Sequence, residues 1–239
     1  MANKITKRTV AFVLPAYNEE SVLKEVVNGL SNALRDKNFS YEIIVVDDAS
    51  KDKTATFAEK SGAYVIKHIL NTGTGGATAT GLSYAQQNNF NIAVTLDADG
   101  QHDPFDAIKG VEKMFNEDVD LLIGSRLIDT EGMSRVKIIG NRGLTLITLI
   151  IFGVGITDSQ SGMRIFSKQA LDTLKWKTSG YEFCSEMIWR AKQQKLIIKE
   201  YPIKAIYTEY SLSKGQNNWN AFNIIRSLIK QRVMELFGE

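Results

Sequence analysis

Cysteine is nearly missing from this chain of 239 residues. The single Cys184 excludes an internal disulfide and fits a reducing compartment. Its setting between Phe183 and Ser185, in a helical stretch, reads as core rather than nucleophile. Histidine is as scarce, and His68 and His102 are too few for a zinc site built from histidines. Proline occurs at positions 15, 104 and 202 only, after Leu14, Asp103 and Tyr201. None follows a lysine. That argues against a phospho-acceptor receiver module, which "VVDD" and Asp97 otherwise imitate, as does the complete strand and helix that precede "VVDD". An excess of charge is also lacking: 29 Lys and Arg against 27 Asp and Glu leave +2, too little to argue for nucleic acid.

No apolar run reaches the roughly 20 residues that span a bilayer. The longest, "LTLITLIIFGVGI" at 144–156, has 13 residues. It reads either as a buried helix or as one lying at a membrane surface. No secretory leader is read at the N-terminus, where the apolar "VAFVLPA" breaks off at "YNEE". The expected location is the cytoplasm, with peripheral contact to the membrane.

What is present is a regular alternation. Buried strands are expected at 9–15, 41–48, 63–68, 91–97 and 120–126. Helical patterns fall between them, the first at about 21–37 with Val22, Val26, Leu30, Ala33 and Leu34 on one face. Strands alternating with crossover helices predict an α/β fold, a mostly parallel sheet covered on both faces. Ligands of such sheets bind at the carboxyl ends of the strands. Asp47, Asp48, Asp97, Asp99, Ser125 and Arg126 all fall there, as does "PAYNEE". The second half reads less regularly: an apolar helix around 140–152, "DSQSGMRIFS" at 158–167, a helix at about 183–195, strand-like 197–207, and a final amphipathic helix at about 219–237. With no Pro- or Gly-rich linker, one domain is expected. Its nucleotide-binding half runs to about residue 126, and its acceptor half from 127 to 239.

"TLDADGQHDP" (95–104) carries the sharpest chemistry. Asp103-Pro104 is a helix start. Asp97 and Asp99 are not explained by it. Residues i and i+2 of an extended segment point to one side, and two close carboxylates repel unless a proton or cation lies between them. A hard divalent cation that also holds substrate phosphates fits such a pair. The alternative is an ordinary acidic turn. Tyr17 could stack on a base, Glu19 or Asp48 could accept hydrogen bonds from a base or ribose, and Arg126 and Lys214 could neutralise phosphate. "GTGGATATG" fits neither a dinucleotide fingerprint, since Thr78 stands at the third glycine, nor a P-loop, since Leu82-Ser83 follows Gly81.

In order, "LPAYNEE", "VVDDAS", "LDADGQHDP", "IGSR" and "DSQSGMRIFS" resemble family 2 glycosyltransferases, most of all the dolichyl- and polyprenyl-phosphate mannosyl- and glucosyltransferases. The resemblance runs from about Val10 to Gln216. It implies a GT-A-like fold and inverting, metal-dependent transfer, with Mg²⁺ or Mn²⁺, from a GDP- or UDP-sugar to a polyprenyl phosphate. The alternatives are a sugar hydroxyl on a glycan as acceptor, or sugar-nucleotide binding without turnover. Pro15, Tyr17, Glu19 and Asp48 would line the nucleoside pocket. Asp97, Asp99 and Gln101 would form the metal and diphosphate motif. Arg126 would lie near the sugar phosphate, and Lys137 and Lys214 would meet the acceptor phosphate. Asp99, Arg126 and Asp158 are the candidate catalytic residues. For a hydroxyl acceptor, Asp158 or Glu186 would serve as general base, and Glu182 reads as a surface residue. Thr72 and Tyr210 stand where relatives carry arginine.

Overall fold

A computed structural model describes residues 8–207, 226–229 and Arg232. Lys214, Tyr210 and most of the expected last helix lie outside the described residues. Seven strands form one sheet in the order β3-β2-β1-β4-β6-β5-β7. The strands are β1 (Thr9–Ala16), β2 (Ser40–Asp47), β3 (Tyr64–Lys67), β4 (Ile92–Thr95), β5 (Leu121–Ser125), β6 (Arg164–Ser167) and β7 (Ile198–Pro202). Neighbours pair in parallel except at β6, which runs antiparallel to both β4 and β5. The mostly parallel α/β sheet expected from the alternation is therefore present, with one inserted strand that the alternation does not reveal. Strands from both halves of the chain share the sheet.

Burial on both faces explains the strand sequences. In β1 the run Val10–Leu14 is fully buried, its alternate residues feeding two separate cores. Helices α1 (Leu23–Leu34) and α4 (Pro104–Asn116) cover one face; α3 (Gly73–Gln87), α6 (Lys168–Thr173) and α7 (Phe183–Gln193) contribute to the core on the other. α1 buries Leu23, Val27, Leu30 and Leu34. The expected face is thus shifted by one residue at its start, away from Val22 and Val26. α3 is rich in small residues because it lies close to β1: a Cβ on Gly81 would stand 2.2 Å from Val13 Cγ1. α4 starts as expected, with Asp103 accepting from the Phe105 amide at 2.8 Å and Pro104 in the first turn.

The apolar helix α5 (Arg135–Phe152) begins five residues earlier than the apolar pattern predicts, capped by Ser134. It stops at Gly153, whose φ of +67° provides the left-handed end. Only Leu144, Thr145, Thr148 and Phe152 are buried. Val136, Ile139, Leu146, Leu149 and Ile150 are exposed, so the helix is not the fully buried one that its composition permits. Within the expected final amphipathic helix, Leu228 is buried in the core with Trp189, and Arg232 lies over the Trp189 ring. A short helix α2 (Thr54–Lys60) completes the set.

Candidate active site

The loops after β1 and β2 are knitted together. Asn18 N donates to Ser50 Oγ and Lys51 N to Asn18 Oδ1, both at 2.9 Å. Glu19 N donates to Thr54 Oγ1 at 2.8 Å, and Lys53 N to Glu20 at 2.9 Å. Asn18 and Ala49 adopt positive φ to make these turns. The lacing holds Tyr17, Pro15 and Glu19 at the carboxyl end of the sheet and leaves the Tyr17 ring exposed.

Asp48 has a different immediate role from the one expected. Its buried carboxylate accepts from the Thr72 amide and hydroxyl and the Gly73 amide, all at 2.8 Å, and lies 2.7 Å from His68 Nδ1. Burial opposes its charge, but these donors, led by the Thr72 amide, outweigh burial and hold the carboxyl below its usual value. Asp48 therefore fixes the loop that starts α3. Gly73 is required in that loop: its φ is +82°, and a Cβ would lie 2.5 Å from the Ser179 carbonyl.

Asp97 and Asp99 lie just beyond β4. His102 Nε2 is 3.0 Å from Asp97 Oδ2, and the Asp97 side chain stays 45% exposed while His102 is nearly covered. The other nitrogen, His102 Nδ1, is buried without a partner. Gln101 donates to Asp99 through its amide N–H at 3.0 Å and its side chain at 2.6 Å. Burial works against ionisation of Asp97, but the bond to His102 and the charges of Arg126 and Arg164 leave it below the usual range. Burial and the charge of Asp97 push Asp99 the other way, up. The pair thus shows the repulsion that a cation relieves.

Whether a metal suits the pair is decided by space and donor type. A Cβ on Gly162 would lie 2.3 Å from Asp97 Oδ2 and 2.4 Å from Oδ1, so the absent side chain keeps the flank of that carboxylate clear. Among the described residues no three His, Cys, Asp or Glu side chains converge as a closed metal cage. Two hard oxygen donors beside open space fit a cation that takes its other ligands from water and substrate phosphate. Gly162→Ala is expected to lower transfer at least tenfold, about 1.4 kcal/mol of barrier, with a small change in melting temperature. Steady-state kinetics beside a thermal melt would check both.

Arg126 and Asp158 form a two-pronged pair. Arg126 Nε and Nη2 meet the two Asp158 oxygens at 2.8 and 3.0 Å, and the Arg126 amide adds a third bond at 3.2 Å. The Gln160 amide supplies a fourth donor. Despite full burial, which raises it, the Asp158 carboxyl is held below its usual value by Arg126. As a general base Asp158 is therefore badly suited, since an ionised, saturated carboxylate has no orientation free for a hydroxyl. Glu186 is excluded for a similar reason. It is fully buried and accepts from the Lys177 and Thr178 amides, the Thr178 hydroxyl and Arg190 Nε. Glu182 is partly exposed at the start of α7, and Cys184 is buried, its thiol raised to about 11 by that burial.

Lys137, on the first turn of α5, lies over the Tyr207 ring at 3.7 Å from its centroid. Burial, then the charge of Arg126, lower its pKa, while Asp99 opposes them. The charges of Arg126 and Asp99 both act on Lys137. Among the described residues no carboxylate pairs with Lys137. The structure adds two residues that the sequence reading missed. Tyr181 is within range of Asp97, Asp99 and Glu19, and burial followed by those charges raises its hydroxyl. Tyr207 contacts Lys137. Arg164, which the sequence reads with Ser161 as fixing the loop that carries Asp158, is fully buried and donates to the carbonyls of Ser159, Ser161 and Cys184. It thereby holds the loop that carries Gly162 and adds positive charge near Asp97.

The family model "Glycosyl transferase family 2" matches residues 11–175. The UDP-N-acetylglucosamine--dolichyl-phosphate N-acetylglucosaminyltransferase of Methanococcus voltae is 41% identical, covering 98% of each chain. The undecaprenyl-phosphate mannosyltransferase of Micrococcus luteus is 29% identical, over 86% of each. The fold is shared with a glucosyl-3-phosphoglycerate synthase of Mycobacterium tuberculosis, solved with Mn²⁺, UDP-glucose and glycerol 3-phosphate. That likeness has a TM-score of 0.70 at 22% identity and covers 93% of this chain and 77% of that one. Strand ends carrying two aspartates and an arginine on a GT-A-like sheet are thus those of a glycosyltransferase, and the chain belongs to glycosyltransferase family 2.

Proposed function

We propose that the protein moves a sugar from a nucleoside-diphosphate sugar to the phosphate of a polyprenyl phosphate. The observation that carries this reading is the distribution of charge opposite Asp97 and Asp99. The charge of Arg126 acts on Lys137, whereas both carboxylates suited by type to deprotonate a hydroxyl, Asp158 and Glu186, are filled with donors. A hydroxyl acceptor needs a base. A phosphate monoester is already an anion and needs cations to place it. The polyprenyl-phosphate enzymes among the relatives point the same way.

Pro15, Tyr17 and Glu19 receive the nucleoside, with the loop braced by Asp48 as a wall. Asp97 and Asp99, with Gln101 orienting Asp99, would hold Mg²⁺ or Mn²⁺, which supplies positive charge for the departing diphosphate. Arg126 adds a fixed cation from a pre-set orientation, so little reorganisation accompanies the reaction. The acceptor oxygen forms a bond to the anomeric carbon as the bond to the donor phosphate breaks, and a single displacement inverts that centre. Lys137, and Lys214 beyond the described residues, receive the acceptor phosphate.

The first donor to test is UDP-N-acetylglucosamine, because a relative at 41% identity is named for it; GDP- and other UDP-sugars follow. Purified protein with Mg²⁺ or Mn²⁺ and a short polyprenyl phosphate should give a glycosyl phosphate lipid, seen by mass spectrometry. Transfer only to a free sugar hydroxyl would overturn the reading.

A lipid acceptor requires contact with its membrane. None of the helices among the described residues is long and apolar enough to cross one. α5 offers a surface instead: Val136, Ile139, Leu146 and Ile150 recur along one exposed side, and Arg135, Lys137 and Arg142 are the only charged residues of the helix. Such a helix lies in the headgroup region of anionic bilayers. The protein should float with anionic vesicles, and Ile139→Glu with Ile150→Glu should reduce flotation severalfold without changing the thermal melt. Unchanged flotation in that double variant would remove α5 as the contact.

A further inference from the structure

The segment after β7 is tied to the site at three points. Ile203 N donates to the Ser125 carbonyl at 3.0 Å, Lys204 N to Asp106 Oδ2 at 2.9 Å, and Ile206 N to the Gln101 carbonyl at 3.1 Å. Ala205 forms an antiparallel bridge with His102. The chain is thereby drawn along the turn that follows Asp99, past the end of β5, and Tyr207 is delivered to Lys137. Its hydroxyl responds to both Arg126 and Asp158, after burial.

Lys137 poses a physical problem. Its ammonium sits on a flexible stem and feels the like charge of Arg126, with no carboxylate to hold it among the described residues. Left alone, such a side chain turns out to water. A carboxylate would hold it but would also repel an arriving phosphate. An aromatic face attracts the cation while carrying no net charge, and 3.7 Å from the ring centroid is well within the range of that attraction.

We propose that Tyr207 is a positioning residue for the acceptor, its ring holding the Lys137 ammonium in place to meet the acceptor phosphate. The proposal rests on the reading of the acceptor as a phosphate. The ring, not the hydroxyl, is the working part, so phenylalanine should substitute and an aliphatic side chain should not.

Direct binding of farnesyl phosphate in detergent, measured by calorimetry with farnesol and UDP as controls, separates the possibilities. Lys137→Ala should weaken farnesyl phosphate at least tenfold and leave UDP unchanged. Tyr207→Leu should weaken it about 3- to 30-fold, the span expected for a lost cation–π contact, with farnesol and UDP unaffected. Tyr207→Phe should stay within about twofold of wild type. Tyr207→Met serves in place of the leucine variant if that one melts early. Wild-type affinity in the aliphatic variants, or an equal loss in Tyr207→Phe, overturns the role of the ring while the phosphate reading stands. No effect of Lys137→Ala, or no binding by the wild type, overturns the phosphate reading and the inference with it.

Discussion

Asp99→Ala is expected to lower sugar transfer by about 10² to 10³, the usual cost of removing a group that stabilises charge developing in a transition state, while the fold survives. The structure explains why this aspartate separates chemistry from folding better than its neighbour. Both hydrogen bonds of the Asp99 carboxylate among the described residues come from Gln101, two residues on, so their loss stays local and costs about 1 kcal/mol. Asp97 is different. Its removal would leave His102 Nε2 unpaired when Nδ1 already is, and an unsatisfied buried nitrogen costs about 1 to 3 kcal/mol. In the Asp99 variant nucleotide affinity should also lose its dependence on Mn²⁺, which calorimetry with and without chelator would record. Transfer above a tenth of wild type, or unchanged metal dependence, would remove Asp99 from the site.

Much of this was legible because two local rules apply at once. Strand-length apolar runs announced β1, β2, β4 and β5, and the carboxyl-end rule then pointed to Tyr17, Asp97, Asp99 and Arg126. Neither rule reaches β6. It is four residues long and opens with Arg164, a residue that rarely lies fully buried, so its pattern reads as loop. Arg164 is tolerated there because backbone carbonyls of its own loop and of α7 take its donors. Asp48 was placed at the right strand end, but its partners at Thr72 and Gly73 depend on how α3 begins, which periodicity does not encode. Gly162 was visible only as a motif letter, because its neighbour Asp97 lies far away in sequence. Tyr207 had no local signal. α5 was ambiguous by nature, since thirteen apolar residues suit a core and a bilayer surface alike, and only the packing around Thr145 and Thr148 shows which side faces inward.

The Arg126–Asp158 pair should respond most sharply to being broken on one side. Asp158 is fully buried and the Arg126 side chain 18% exposed. Arg126→Ala leaves the carboxylate with two backbone amides, those of residue 126 and Gln160, as its remaining donors among those described. Breaking a buried pair costs about 3 to 5 kcal/mol, and the partial exposure of Arg126 favours the lower end. For a chain of this size that is a fall of roughly 6 to 12 °C in melting temperature. Arg126→Lys keeps the charge but not the two-pronged geometry, so it should recover some stability and little transfer. Replacing both partners, Arg126→Met with Asp158→Leu, should recover most of the stability, because no buried charge is left unpaired. Transfer should stay absent, because the cation proposed to face the diphosphate is gone. Asp158→Asn tests the acceptor as well. If Asp158 only orients Arg126, transfer should fall about tenfold and keep the shape of its pH profile. If Asp158 took a proton from a hydroxyl, the acidic limb of that profile would disappear along with the activity. That second outcome would return the acceptor to a sugar hydroxyl and leave Lys137 without its phosphate.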